Sequence, residues 1–371
     1  MLFEGSGVAL VTPFNEDLSI NYDKLKELIH FHLENNTDAI ILCGTTGESS
    51  TLSIDEFKEI VSFTVKEVNK KIPVIVGSGS NNTSIAVKKS VIAQELGADG
   101  LLVVTPYYNK CTDDGLYLHY KEINDNVNIP IILYNVPSRT CVNINMDVLI
   151  KLSKLKNIRA LKEACPDLSR VSKELLQLPN DFYIYSGNDD LTLPILSLGG
   201  KGVISVIANI YPSQMHNLCK SCFNNNFKEA RKIHFNNLNL MNLLFCEVNP
   251  VPIKSAMNIM GYNVGKCRLP LGDINVDNYR KLNKILKKEI ERNQIKTVYF
   301  EISYNALTLD KKTLGFEGDI YELGRFDNII ERVNFFKNAF SYDEYKKVLS
   351  DIVLRSGNSL LRHDNIVQYE T

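Results

Sequence analysis

Lys162 closes an apolar run, Ile158-Arg-Ala-Leu-Lys162, and that setting makes it the sharpest chemical candidate in the chain. At the end of a barrel strand its side chain would point into the barrel mouth. Burial disfavours the ammonium, lowers its pKa and leaves an amine able to add to a carbonyl. The plainer reading pairs the lysine with its neighbour Glu163, and on position alone the two are level. Two threonines and two tyrosines at neighbouring run ends change that balance: Thr45 and Thr46 in Gly44-Thr-Thr-Gly-Glu-Ser, Tyr108 in Thr105-Pro-Tyr-Tyr-Asn, and Tyr134 in Tyr134-Asn-Val-Pro-Ser-Arg139. Imine chemistry needs proton carriers, and linked Tyr and Thr hydroxyls can serve. The N–H groups of Gly44 to Gly47, expected where a helix starts, can hold a carboxylate; the alternative is a bare strand-to-helix turn. No Gly-Lys-Ser/Thr follows them, which counts against nucleotide binding. Ser186-Gly187-Asn188-Asp189 and Ile204-Ser205 complete the polar residues at run ends.

Other reactive side chains read more plainly. Cys219-Lys-Ser-Cys222 is the one CxxC among eight cysteines, and without a second pair it reads as thiols on a helix face. Cys141 has no base beside it in sequence, Cys165 reads as packing, and Glu163 as a residue that orients local structure. His30, His32, His119, His216, His234 and His363 show no ligand spacing with a carboxylate cluster, so they read as structural or surface residues and no metal is expected. Lys and Arg number 42 against 43 Asp and Glu, a net charge of −1, which gives no basic excess for nucleic acid. No apolar run is long enough to span a bilayer and no signal-peptide core opens the chain, so the expected setting is cytoplasmic, away from membranes.

What must position these residues is a series of short, β-branched runs: Val8–Phe14, Ala39–Cys43, Pro73–Val76, Gly100–Thr105, Pro130–Tyr134, Ile158–Lys162, Phe182–Tyr185 and Gly202–Val206. Such continuous apolar runs suit strands covered on both faces. Between them lie helical spacings, such as Leu25, Leu28, Ile29, Phe31, Leu33 and Phe57, Ile60, Val61, Val65, Val68, the second behind a Ser53-x-x-Glu56 capping box. Eight such units in roughly 225 residues predict an α/β chain folded as a (β/α)8 TIM barrel, with a doubly wound sheet as the alternative. The expected organisation is a barrel over 1–225, a helical appendix over 226–292, and a small α+β extension over 293–371 rich in Phe and Tyr.

The motifs above, with Leu161-Lys-Glu-Ala, Gly199-Gly-Lys-Gly-Val-Ile-Ser-Val, Asn249-Pro-Val-Pro-Ile-Lys254 and Arg268-Leu-Pro270, resemble in this order the dihydrodipicolinate synthase family of pyruvate-dependent class I aldolases. The resemblance runs from Phe3 to about Glu291 and leaves 293–371 without a counterpart. It implies a lyase of lysine and diaminopimelate biosynthesis that joins pyruvate to L-aspartate-4-semialdehyde. Lys162 would form the Schiff base, and Thr45, Tyr134 and a neighbouring subunit's equivalent of Tyr108 would relay protons. Thr45 and Thr46 would hold the pyruvate carboxylate, and Arg139 that of the second substrate. Gly187 and Ile204 would line the pocket with backbone atoms. It further implies a homo-oligomer, dimer or tetramer, and no cofactor, since the lysine is itself the electron sink. A sister aldolase, such as N-acetylneuraminate lyase or a 2-keto-3-deoxy sugar acid aldolase, is the alternative function; Arg139 favours the first, because a carboxylate suits a guanidinium fork. All of these assigned residues precede position 205.

Overall fold

Eight parallel strands close on themselves in chain order in the computed structural model, which describes residues 2–287. They alternate with helices: β1 (Gly5–Ala9), α1 (Tyr22–Glu34), β2 (Ala39–Leu42), α2 (Ile54–Val68), β3 (Val74–Gly77), α3 (Thr83–Glu95), β4 (Gly100–Val104), α4 (Asp113–Asn126) and β5 (Ile131–Asn135). There follow α5 (Pro137–Thr140), α6 (Met146–Leu152), β6 (Ile158–Glu163), α7 (Leu168–Gln177), β7 (Tyr183–Ser186), α8 (Thr192–Ser197), β8 (Gly202–Ser205), α9 (Pro212–Phe223), α10 (Phe227–Leu243) and α11 (Val251–Ile259). A last helix starts at 276. Pairing of β8 with β1, from Gly5↔Gly202 to Val8↔Ser205, closes the sheet and excludes the doubly wound alternative. The expected strand and helices beyond 293 lie outside the described residues.

Side-chain alternation along the strands builds two apolar layers. One set, including Val8, Ile40, Val76, Leu133, Leu161 and Val203, packs outward under the helices. The other, including Ala9, Ile41, Ile75, Ile132, Ala160 and Ile204, fills the barrel, with Phe3 stacked on Tyr185 at 4.5 Å between ring centres. Helix α2 shows how sequence fixes a helix here. Ser53 Oγ accepts from the Glu56 N–H and Glu56 Oε2 accepts from the Ser53 N–H, forming the expected capping box. Its face, Phe57, Ile60, Val61 and Val68, is buried, each side chain contributing about 1.5–3 kcal/mol of gross transfer free energy.

Two expectations need correction. The first strand is Gly5–Ala9, not Val8–Phe14. Its glycines hid it: a Cβ at Gly7 would lie 2.5 Å from Ile41 Cδ1, so the crowded interior tolerates none there. In α1 the buried face is completed by His32, with Leu25, Leu28 and Ile29; Phe31 and Leu33 are half-buried. Thr37 Oγ1 bonds His32 Nδ1 at 2.9 Å, and burial pulls the imidazole down to about 3, so the ring is neutral.

After α10 the chain folds back toward the C-terminal ends of the strands. The Arg268 guanidinium donates to the carbonyls of Leu18 and Thr51, both in loops that follow strands, and pairs with Glu56. This brings the α11 region to the end of the barrel where such folds carry chemistry. No helix among the described residues is long and apolar enough to cross a membrane.

Candidate active site

Strand β6 decides the two readings of Lys162. Leu161 packs in the outer layer and Ala160 in the inner one, so by alternation Lys162 faces the barrel interior and Glu163 faces outward. Glu163 is fully buried behind the strand, where it accepts from Asn135 Nδ2, the Cys165 N–H and Arg170 Nε. It orients local structure, as expected, and is no partner for Lys162. Lys162 is 6% exposed, beside Tyr134 on β5 and Tyr185 on β7 in register. Its Nζ lies 4.3 Å from the centre of the Tyr134 ring. Burial pulls its pKa to about 7; Asp189 favours the ammonium, while the Arg139 guanidinium opposes it. A large fraction is therefore free amine at neutral pH, as a carbonyl nucleophile requires.

The other candidates converge unevenly. Burial raises the Tyr134 pKa, while Arg139 and the Thr45 hydroxyl act against that rise, which places both groups close to the phenol. Tyr134 is thus a phenol near neutral pH, able to accept and donate a proton. Thr46 is buried and Thr45 half-buried in the turn after β2. Among the described residues, neither Thr45 nor Thr46 donates its N–H to a backbone acceptor. Gly187 directly follows β7, and Ile204 lies within β8, one residue before its end. The Gly187 N–H donates to Glu163 O at 2.7 Å, and a Cβ there would sit 2.6 Å from that of Ala164, so no side chain fits. Arg139, on the short α5, is exposed and donates through Nη2 to Asn249 O at 3.2 Å. Tyr108 does not join the group: it is 91% exposed, with φ of 68°.

Residues 2–289 match a family model described as the dihydrodipicolinate synthetase family. The chain belongs to that family. It is 52% identical over 286 residues to the 4-hydroxy-tetrahydrodipicolinate synthase 1 of Clostridium acetobutylicum, a match covering 77% of this chain and 97% of the relative. Among solved structures it resembles dihydrodipicolinate synthase from Aquifex aeolicus, at 46% identity, TM-score 0.76 and coverage of 77% and 98%. It also resembles the chloride-inhibited enzyme from Acinetobacter baumannii complexed with pyruvate, at 40% identity, TM-score 0.75 and coverage of 76% and 98%. The family's general mechanism is an aldolase-type Schiff base on lysine.

Against the family's motifs, the geometry adds residues that sequence reasoning did not assign to the site. Asp189 is fully buried; its Oδ2 accepts the N–H groups of Val206 and Ile207, at 3.1 and 2.9 Å. Burial raises its pKa, and Ser205, those N–H groups and Lys162 counter the rise. An acidic residue two positions after Gly187, at the end of an apolar run, was the available signal. Asn249, beyond position 205, reaches both Arg139 and Thr46. The turn at Gly44 also differs from expectation: α2 starts only at Ile54, so no helix N-terminus stands behind Gly44–Gly47. Cys219 and Cys222 are free and buried on α9.

Proposed function

We propose that this chain condenses pyruvate with L-aspartate-4-semialdehyde to give 4-hydroxy-tetrahydrodipicolinate and water, through an imine on Lys162. The observation that carries the reading is a lysine 6% exposed on the inner face of the barrel, its Nζ 4.3 Å from the Tyr134 ring centre, where burial lowers its pKa toward neutrality. The free amine adds to the pyruvate ketone and expels water. The protonated imine then draws electrons from the methyl group, which loses a proton and becomes an enamine carbon. That carbon bonds to the aldehyde carbon, whose oxygen takes a proton. The α-amine of the condensed chain then displaces Lys162, closing the ring and freeing the lysine.

In this reading Tyr134 and Thr45 pass the protons, and Tyr108 reaches into a neighbouring copy to complete the relay. The exposure of Tyr108 and its left-handed backbone support that role, and with it a homo-oligomer, dimer or tetramer. The N–H groups of Thr45 and Thr46, which donate to no backbone acceptor among the described residues, and the hydroxyl proton of Thr46 suit the pyruvate carboxylate. Gly187 and Ile204 line the pocket, and Arg139 takes the carboxylate of the aldehyde substrate. The work needs no cofactor and is placed in the cytoplasm, for lysine and diaminopimelate synthesis. Residues 293–371 form an accessory region outside the chemistry. The sister-aldolase alternative lacks a use for Arg139. A coupled assay of pyruvate with L-aspartate-4-semialdehyde, set beside N-acetylmannosamine and sugar-acid aldehydes, tests the choice: turnover with the semialdehyde alone is expected, and preference for a sugar would overturn the reading.

A further inference from the structure

We infer that Asn249 and Lys254 are positioning residues, which hold the Thr45–Thr46 turn from outside the barrel in the shape that receives a carboxylate. The inference rests on the imine chemistry proposed at Lys162. The turn between β2 and α2 is poorly supported by its own backbone. Its internal bonds run from the Glu48 N–H to Thr45 O, from the Ser49 N–H to Gly44 O and from the Thr51 N–H to Glu48 O, at 3.1, 3.3 and 3.0 Å. Cys43 and Glu48 flank it in left-handed conformations, with φ of 49° and 55°. Such conformations are unfavourable for residues with a Cβ and persist where surroundings impose them.

Thr12 Oγ1 holds the turn at Gly47 O, at 2.7 Å, and the turn's anchors at Thr46 and Glu48 come from the α11 region, some two hundred residues later. Asn249 Nδ2 donates to Thr46 Oγ1 at 3.0 Å. That bond uses the hydroxyl oxygen as acceptor and leaves its proton for an incoming carboxylate oxygen. Five residues on, Lys254 Nζ meets Glu48 Oε1 at 2.9 Å, both residues 2% exposed. The Arg268 N–H takes the second oxygen, Glu48 Oε2, at 2.8 Å. Lys254 also donates to Lys266 O at 2.8 Å and lies 4.2 Å above the Phe14 ring. One segment therefore grips the turn on both sides of Gly47. A buried ion pair is a poor device for stability alone, since apolar residues of like volume commonly do as well. It is a good device for fixing one geometry.

Asn249 serves two anchors by separate groups, and that permits a clean test. Its side chain holds Thr46, whereas its backbone carbonyl holds Arg139. In the full-length Asn249→Ala protein, loss of one neutral hydrogen bond should raise the pyruvate concentration for half-maximal imine trapping about fivefold to tenfold. The maximal rate and the KM for aspartate semialdehyde should each change less than about twofold, since the carbonyl remains. Lys254→Met alone strands a buried carboxylate, so it is paired with Glu48→Gln, which removes both charges. That paired variant, folded by circular dichroism, should show weakened pyruvate saturation of about tenfold or more. Pyruvate saturation within about twofold of wild type in Asn249→Ala would overturn the inference, as would an equal rise in both KM values, which marks general loosening. If the paired variant fails to fold, Asn249→Ala decides alone. Absence of any pyruvate imine in the wild type would instead sink the functional reading, and this inference with it.

Discussion

Replacing Asp189 with asparagine should shift the pH at which Lys162 becomes a nucleophile, and the direction is fixed by the structure. Burial takes the lysine from its ordinary 10.5 to about 7, against the pull of Asp189 toward the ammonium. That drop corresponds to on the order of 5 kcal/mol between the two protonation states. At pH 7 about half the Lys162 side chains are then free amine, against roughly one in three thousand for an exposed lysine. The amide introduced by Asp189→Asn would keep the shape of the side chain and an oxygen for the Val206 and Ile207 N–H groups, but it would remove the charge that favours the ammonium. The midpoint must therefore fall below that of the wild type. The assay is the initial rate of pyruvate capture by cyanoborohydride between pH 5 and 10, read by intact mass. The wild-type rate should rise with a midpoint near 7, and that of Asp189→Asn at lower pH. A wild-type midpoint near 10, or an upward move in the variant, would refute the claim that burial sets this lysine's reactivity.

Three further outcomes follow from the same geometry. Arg139→Ala should lower kcat/KM for aspartate semialdehyde by about thirtyfold to a thousandfold, as a lost charge-assisted contact implies, with pyruvate trapping changed far less; steady-state kinetics beside trapping would show it. Glu174 is buried with Glu163 and Arg170, and burial and the Glu163 charge push its carboxyl well above its ordinary 4.5. The folded state holds that proton more tightly than the unfolded chain, so this group's stabilisation is lost as pH rises from 4.5 through its folded value; Glu174→Gln should flatten the decline in urea unfolding from pH 5 to 9. A chain ending at Asn293 should keep imine trapping, measured as above, and any effect of the deletion should appear in sedimentation.

Most strands were legible because parallel strands covered on both faces are written as continuous β-branched runs. The seven from Ala39 onward fall within a residue or two of expectation. Strand β1 was not, since the same barrel interior that demands apolar bulk elsewhere demands Gly7 beside Ile41. Lys162 could be singled out because a lysine in an apolar run conflicts with its surroundings. Lys254 carries the same conflict in Val251-Pro-Ile-Lys-Ser-Ala, yet its partner Glu48 lies 206 residues away, and no local spacing reports such a pair. Asn249 has no such signal: an asparagine before proline reads as turn chemistry, and only folding places its amide on Thr46. Its motif contributed to the family resemblance without showing what the residue touches.

The central claim, an imine on Lys162, is tested most directly by reducing the protein with borohydride in the presence of pyruvate and mapping the adduct by peptide mass spectrometry. The account predicts one pyruvate-derived adduct per chain, on the peptide containing Lys162, and its loss in Lys162→Met. An adduct on another lysine, or none in a folded protein, would contradict it.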